Sequence, residues 1–411
     1  MTLKKSTIKI FSILFMLNLI STTISCSKEE KNNTNSIVPT VPTVELGGSL
    51  GTRTLYKDTI YVLDRFAYVD NGNVLTIQAG TIIKAKTGDG ANSSALIIAR
   101  GGRLNAVGTA SEPIIFTSIQ DEIKPGQTSS TLNVDSKGLW AGIIILGRAP
   151  ISALNGDTIG SIEGIPSTYS FGSYGGSNAA DNSGTLSYIS IRFTGTELLP
   201  DEEIQGLTLG GVGSGTTINN IEIISSDDDG VELFGGTVNV SNILVAYQSD
   251  DAIDLDQNYN GTISNALVFT NNASAGNDGL EFDGPENSTY TTGKFILENS
   301  TIVNLSGAGR AGTLKSGAQG EIRNCAFKDF TSWIRVDGSS AVNKYKASNL
   351  KITNSEFNVS TTIADAIVAS VDQDSVRTLF GAAGNTKVST FTKGANTSVF
   401  NWTWAKSLTL F

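Results

Sequence analysis

The sequence predicts an all-β fold, a right-handed parallel β-helix in which one short coil repeats along a single axis. Three observations carry that prediction. The phrases Asp229-Gly-Val-Glu-Leu-Phe, Asp251-Ala-Ile-Asp-Leu-Asp and Asp278-Gly-Leu-Glu-Phe-Asp share one pattern and recur at 22 and then 27 residues, the spacing of a solenoid. Asn220, Asn242, Asn265, Asn299, Asn324 and Asn354 each precede an alternating apolar pair, at intervals of 22, 23, 34, 25 and 30 residues. An asparagine at the same point of successive coils can take the left-handed conformation and bond to the next asparagine along the axis. Finally, 44 glycines against 8 prolines, among short β-branched runs with no sustained helical period, describe a turn-rich β chain.

Taken in order, Lys4, Lys5 and Lys9 precede an apolar run at 10–20 and small residues leading to Cys26. The run is too short to span a bilayer and has the layout of a processed leader. It resembles a bacterial lipoprotein signal, which predicts removal of residues 1–25 and acylation of Cys26. The charged run Ser27-Lys28-Glu29-Glu30-Lys31 resembles the export signal that sends lipoproteins of Bacteroidota-type bacteria to the outer face of the outer membrane. Residues 26–45, polar and then broken by Pro39 and Pro42, read as a flexible tether. Without the leader, 26 basic residues face 39 acidic ones, a formal charge of −13, which excludes nucleic acid and anionic lipid as non-specific partners. With Cys26 lipidated, Cys325 has no disulfide partner, so stability must come from stacking.

Residues 46–411 read as one β-helix. Strand-like runs at 74–86, 95–109, 113–118 and 138–150 alternate with polar stretches at 119–137 and 151–183, read as loops extruded from turns, where solenoids build their binding surfaces. Tyr188 stands where the first ladder asparagine would. Cys325 occupies a small-residue core column. The aromatic run Val399–Trp404 with Leu408–Phe411 is expected to cap the open end of the stack; sugar stacking by Trp402 or Trp404 is the lesser reading.

The chemistry is bounded by an absence: the chain has no histidine, which removes imidazole nucleophile systems and histidine-bound zinc. In the three aligned phrases Val231/Leu233, Ile253/Leu255 and Leu280/Phe282 face the core, and Glu232, Asp254, Asp256, Glu281 and Asp283 face out to solvent. Coils stack about 4.8 Å apart, so the register sets five carboxylates in one ladder. Two carboxylates about 5 Å apart repel by roughly 3 kcal/mol at an effective dielectric near 20, so the ladder favours a bound Ca²⁺ or protonation. Asp227–Asp229, in the turn before the strand, are possible further ligands. Lys315 and Arg335 follow in the next coils, and in a Ca²⁺-dependent lyase acting on acidic glycans either would serve as base or charge stabiliser, although nearby carboxylates make Lys315 a poor base. The segment Ser249–Leu255 resembles part of the polygalacturonase-type hydrolases, which implies inverting hydrolysis by paired acids. The histidine motif of those hydrolases is missing.

As a set, LTIQAGTIIKAK, LIIARGGRLNAVGT, GLWAGIIILGRAP, GLTLGGVGSGTTINNIEI, DDGVELFGG and the TWAK end resemble a family of β-helix surface lipoproteins of Bacteroidota, with the pectin-lyase-like fold. The resemblance implies fold and location and carries over no catalytic residues. The leading expectation is a surface-anchored lipoprotein, monomeric and touching the membrane only through its lipid. It would bind an extracellular polymer, most simply a polysaccharide, through a face bearing Ca²⁺. The lyase is the alternative, with the hydrolase behind it.

Overall fold

The computed structural model describes residues 41–156, 158–166, 168–199, 202–271 and 277–411. The leader at 1–25, Cys26 and the tether as far as residue 40 lie outside the described residues. From Val41 onward the chain is one compact unit. Its first strand, Thr43–Ser49, begins inside the stretch read as tether, because it pairs in parallel with Ile60–Val69 as the first rung of the stack.

Each coil contributes one strand to each of three parallel faces. In one coil Thr217–Asn219 lies on the first face, Ile221–Ile224 on the second and Val231–Phe234 on the third, and each pairs with its equivalent one coil later. Long all-parallel stacking of this kind is a right-handed parallel β-helix, the hand that parallel crossovers take. Inward side chains of the three faces, among them Ile221, Val231, Leu233, Ile253, Leu255 and Phe282, form one continuous buried core. Cys325 is in it, fully buried, with its thiol pushed up to about 12 by burial; a thiol so placed packs as a small apolar group.

The corner between the first two faces is where the asparagines stand. Asn220, Asn242, Asn265, Asn299, Asn324 and Asn354 all have φ between 47° and 57°, and Tyr188 has 53°. An amide both donates and accepts, so these side chains can satisfy one another along the axis. Asn242 Nδ2 donates to Asn220 Oδ1 at 3.1 Å, Asn265 to Asn242 at 2.7 Å and Asn354 to Asn324 at 2.6 Å.

Three features depart from the sequence expectation. Two α-helices longer than a single turn occur near the end, Gly338–Lys346 and Gln373–Ala382, besides the one turn at Trp404–Ser407; both are too short to show a sustained period and each docks a few apolar residues, such as Tyr345, Val376 and Phe380, on the core. The second helix closes the stack, with Phe380 edge-on to Phe357 at 5.4 Å. The aromatic tail therefore does not cap the end. Instead it runs back along the second face as a strap. Gly394 N–H donates to the Asn324 carbonyl, Ala395 N–H to Thr301 Oγ1 and Asn396 N–H to Asn265 Oδ1. Phe400 and Trp404 then pack on Phe193, Ile224 and Leu244, so Trp404 is buried and offers no ring to a sugar. Where the strap ends, Ala405 N–H donates to Glu222 Oε1 at 2.8 Å, Ser190 Oγ bonds the other oxygen of Glu222, and Arg192 lies over the Trp404 ring.

The third departure is a roof over the third face. The excursion expected at 151–183 is joined by a second one with Glu197–Leu199 and Glu202–Glu203. Ile151, Ile162, Ile165, Phe171, Tyr174, Leu198 and Ile204 pack on Ala95, Ile97, Ala141, Ile144 and Leu146 of that face.

Candidate functional site

The outward column at the middle of the third face can be followed coil by coil. It reads Tyr68, Ile97, Ile144, Thr208, Glu232, Asp254, Glu281, Thr313, Arg335 and Val368. The apolar start lies under the roof, the acidic middle lies at the roof's edge and the remainder is uncovered. Phe234 and Asp256 pair beside it, and Asp283 follows at Lys315's level. The five carboxylates of the ladder thus share one face, but the expectation that they point freely to solvent fails. Glu232 is only 6 % exposed and Asp254 9 %, because roof residues Ile162, Glu163 and Glu202–Gln205 enclose them in a cleft of about 260 Å³. Nothing in the strand alternation signals a cover that arrives from another part of the chain.

A second acidic column runs beside the first, at the strand entrances. Asp229 Oδ1 accepts from Asp251 N–H at 2.8 Å, and Asp251 Oδ1 accepts from Asp278 N–H one coil later. Asp278 then meets Thr313 Oγ1 and, at 3.6 Å, Arg310. These aspartates open the three aligned phrases, so their recurrence was legible; the bonds that Asp229 and Asp251 accept from the next coil's backbone, and Asp278 from side chains of the coil after, give them a structural purpose. Asp228 and Asp250 complete the cleft wall, and Asp228 accepts from Gln205 Nε2 at 3.2 Å.

Eleven carboxylates line this cleft, and among its lining residues there is no lysine or arginine. Glu232, Asp254 and Asp256 accept no side-chain hydrogen bond among the described residues, and Asp254 Oδ1 is fully buried with no partner. A buried carboxylate without a donor is costly enough that natural proteins rarely leave one. Burial first, and then the neighbouring carboxylates, raise Asp228, Asp229, Glu232, Asp251, Asp254 and Asp256. Asp228 and Asp256 are pushed up to about 7 and Asp251 to about 9, while Asp229, Glu232 and Asp254 rise well above the usual range. The cleft must therefore take up protons or cations near neutral pH.

The donor set fits a hard divalent cation, which seeks six to eight oxygens at ~2.4 Å. Oxygens of Asp229, Glu232 and Asp254 lie within 4.8 Å of one another, and so do those of Asp228, Asp229 and Asp250. Glu281 and Asp283, the other two ladder acids, are engaged elsewhere: Lys315 Nζ sits 2.7 Å from Glu281 and 3.4 Å from Asp283. Burial would lower Lys315, but the hydrogen bond it donates to Glu281 and the charge of Asp283 outweigh it and raise it. A lysine so held stays protonated and cannot serve as a base. Arg335 lies two coils beyond Glu281, bonded to Asp337 at 3.0 Å, in an open cleft with Arg310 and Trp333.

Residues 48–409 match the family described as the pectate-lyase-like beta helix domain. The chain belongs to that family. No curated protein and no solved structure is matched. The match spans nearly the whole stack, from the end of the first strand through the roof and the acid cleft to the strap, so these are all parts of one pectate-lyase-like β-helix domain.

Proposed function

We propose that this protein is a lipid-anchored surface lipoprotein of the outer membrane whose β-helix binds an extracellular polysaccharide, with Ca²⁺ seated in the acid cleft. The observation that carries the reading is the set of donor-less carboxylates, Glu232, Asp254 and Asp256, on the outer side of a pectate-lyase-like face. Asp229, Glu232 and Asp254 would hold the ion, which would supply positive charge where the chain has none. The roofed cleft admits about one sugar ring, so the polymer lies outside it, on the uncovered part of the same face. There Trp333 offers a ring and Arg310 and Arg335 offer guanidinium donors to sugar oxygens.

Binding is favoured over cleavage because Lys315, which meets the cleft acid Glu281, is locked as a cation by two carboxylates. The test is retention of the purified protein on a panel of immobilised acidic and neutral polysaccharides, with Ca²⁺ and with chelator, alongside an absorbance assay for unsaturated uronide products and a reducing-end assay. Retention by at least one polymer, lost at least tenfold in a Trp333→Ala/Arg335→Ala variant and without new products, is the expected result. Unsaturated products would replace this reading by the lyase, new reducing ends alone by the hydrolase, and no retention on any polymer would remove it.

A further inference from the structure

We infer that the pocket between the first coil and the roof, at the opposite end of the third face from Trp333, binds a neutral pyranose ring. Tyr68 opens the outward column of that face and Arg335 stands eight rungs on, about 38 Å away at ~4.8 Å a rung. The site is therefore separate from the acid cleft and from the surface proposed for the polymer. It needs no cation, and it stands or falls without either.

The pocket has a volume of about 620 Å³, in the range of small-molecule sites. Its platform is three near-parallel rings. Phe171 stacks on Tyr68 at 4.4 Å with 21° between the planes, and on Tyr169 at 5.0 Å with 15°. Phe171, the middle ring, is buried and belongs to the packing of the roof. Tyr169 is not explained that way: it is the outermost ring and 47 % exposed, and Leu199, from the other excursion of the roof, is 50 % exposed in the same pocket. Packing alone would close such apolar surface, and an open concave patch of it marks a binding site. Gly48 and Gly90 line the pocket with φ of 65° and 51°, and an added Cβ would meet nothing within 4 Å at the first and nothing nearer than 3.7 Å at the second. Their left-handed backbone favours glycine. Together with Ala91 they leave that wall without side chains to fill the space.

The polar groups of the pocket choose among occupants. Asp64 and Arg65 both line it. Asp64 lies 3.9 Å from Arg65 and 3.3 Å from Lys86, which also meets Glu45 at 3.0 Å. Two acids and two cations balance, so no local field draws an anion here, the opposite of the acid cleft. A carboxylate that accepts beside a guanidinium that donates suits neighbouring hydroxyls, and the electron-rich face of a tyrosine ring suits the C–H face of a sugar. A pyranose carries both surfaces at once. An acyl chain would leave Asp64 and Arg65 unused, and a charged sugar would gain nothing from a balanced pair. One ring on one platform binds in the millimolar range, too weakly to hold a polymer by itself.

Saturation-transfer NMR on the purified protein tests this, with methyl β-glucoside, methyl β-galactoside, methyl α-mannoside and octyl β-glucoside as probes. Transfer to the ring C–H protons of at least one methyl glycoside is expected, equally with Ca²⁺ and with chelator. The signal should fall at least fivefold in Tyr169→Ala, which removes the platform, and in Ala91→Trp, which fills the pocket from an exposed position. It should persist in Tyr169→Trp and in Trp333→Ala/Arg335→Ala. Unchanged circular dichroism and melting temperature separate a lost site from a lost fold, and Ala91→Trp tests the pocket with the roof residues intact. No transfer to any methyl glycoside overturns the inference, as does transfer that survives both Tyr169→Ala and Ala91→Trp. Transfer lost only in Trp333→Ala/Arg335→Ala would put the sugar on the polymer surface instead, and transfer confined to the octyl chain would give the pocket to an apolar ligand.

Discussion

Two ladders run along this molecule with the same repeat, one of amides at a corner and one of carboxylates on the third face. In the first, Asn220, Asn242 and Asn265 hand a hydrogen bond from coil to coil. Each member is donor and acceptor, so stacking satisfies the column from within. In the second, Glu232, Asp254 and Glu281 stand in register on consecutive coils, but an ionised carboxylate only accepts. The same stacking that completes the amide column leaves the acid column short of donors. A repeat that stabilises with one side chain demands a ligand with another of nearly the same shape. That contrast locates function on a scaffold where every coil otherwise looks alike.

The largest expected effect removes whatever completes the acid column. Asp228 and Asp256 titrate near 7 and Asp251 near 9 in the folded chain, above the ~3.9 of an unfolded aspartate. The folded state therefore binds more protons than the unfolded state between about pH 4 and pH 9. Its stability falls as pH rises through that window. In chelator the melting temperature should drop between pH 5 and pH 8.5; with millimolar CaCl₂ the drop should vanish, a gap on the order of 10 °C at pH 8.5 and close to none at pH 4.5. Parallel curves by differential scanning calorimetry would mean that the acid column is completed by something other than cations.

A smaller effect comes from making the two ladders chemically alike. Glu232→Gln/Asp254→Asn replaces charge by amide at nearly constant shape. The variant should melt about 5 °C higher than the parent in chelator at pH 8 and should lose most of its response to calcium. Loss of stability instead would show that the carboxylates already have partners. The smallest effect is the reverse exchange: Asn242→Asp keeps the acceptor but removes the donation to Asn220, and should cost about 1 kcal/mol in urea unfolding, with the larger loss above pH 6.

The same contrast explains what could be read from the chain alone. The amide column, the three acidic phrases and the small-residue place of Cys325 all follow from period and alternation, because each depends only on the coil before and after. Glu232, Asp254 and Asp256 were legible as neighbours for that reason. Their burial was not, since the roof comes from segments around Ile162 and Ile204 that repeat nothing. Asp228, beside Asp229 in the chain, was legible as a candidate ligand; Asp250 stood in the next turn, where aspartate is common for local reasons, and only the fold brings it against them. The strap misleads for a related reason: aromatic residues at the end of a solenoid suggest a lid, and composition does not tell a lid from a lateral brace.

That brace has a consequence for how the molecule can change. Lys393, Gly394, Ala395 and Asn396 touch successive coils, at Asn354, Asn324, Thr301 and Asn265, and Ala405 reaches Glu222, 183 residues earlier. Solenoids ordinarily gain or lose units freely, since each contacts only its neighbours. Here one duplicated turn between Glu222 and Asn354 would shift every anchor by about 4.8 Å and leave the tail short of its last one. The tail acts as a tally of the turns it crosses, so this stretch of the molecule is held to a fixed number of them.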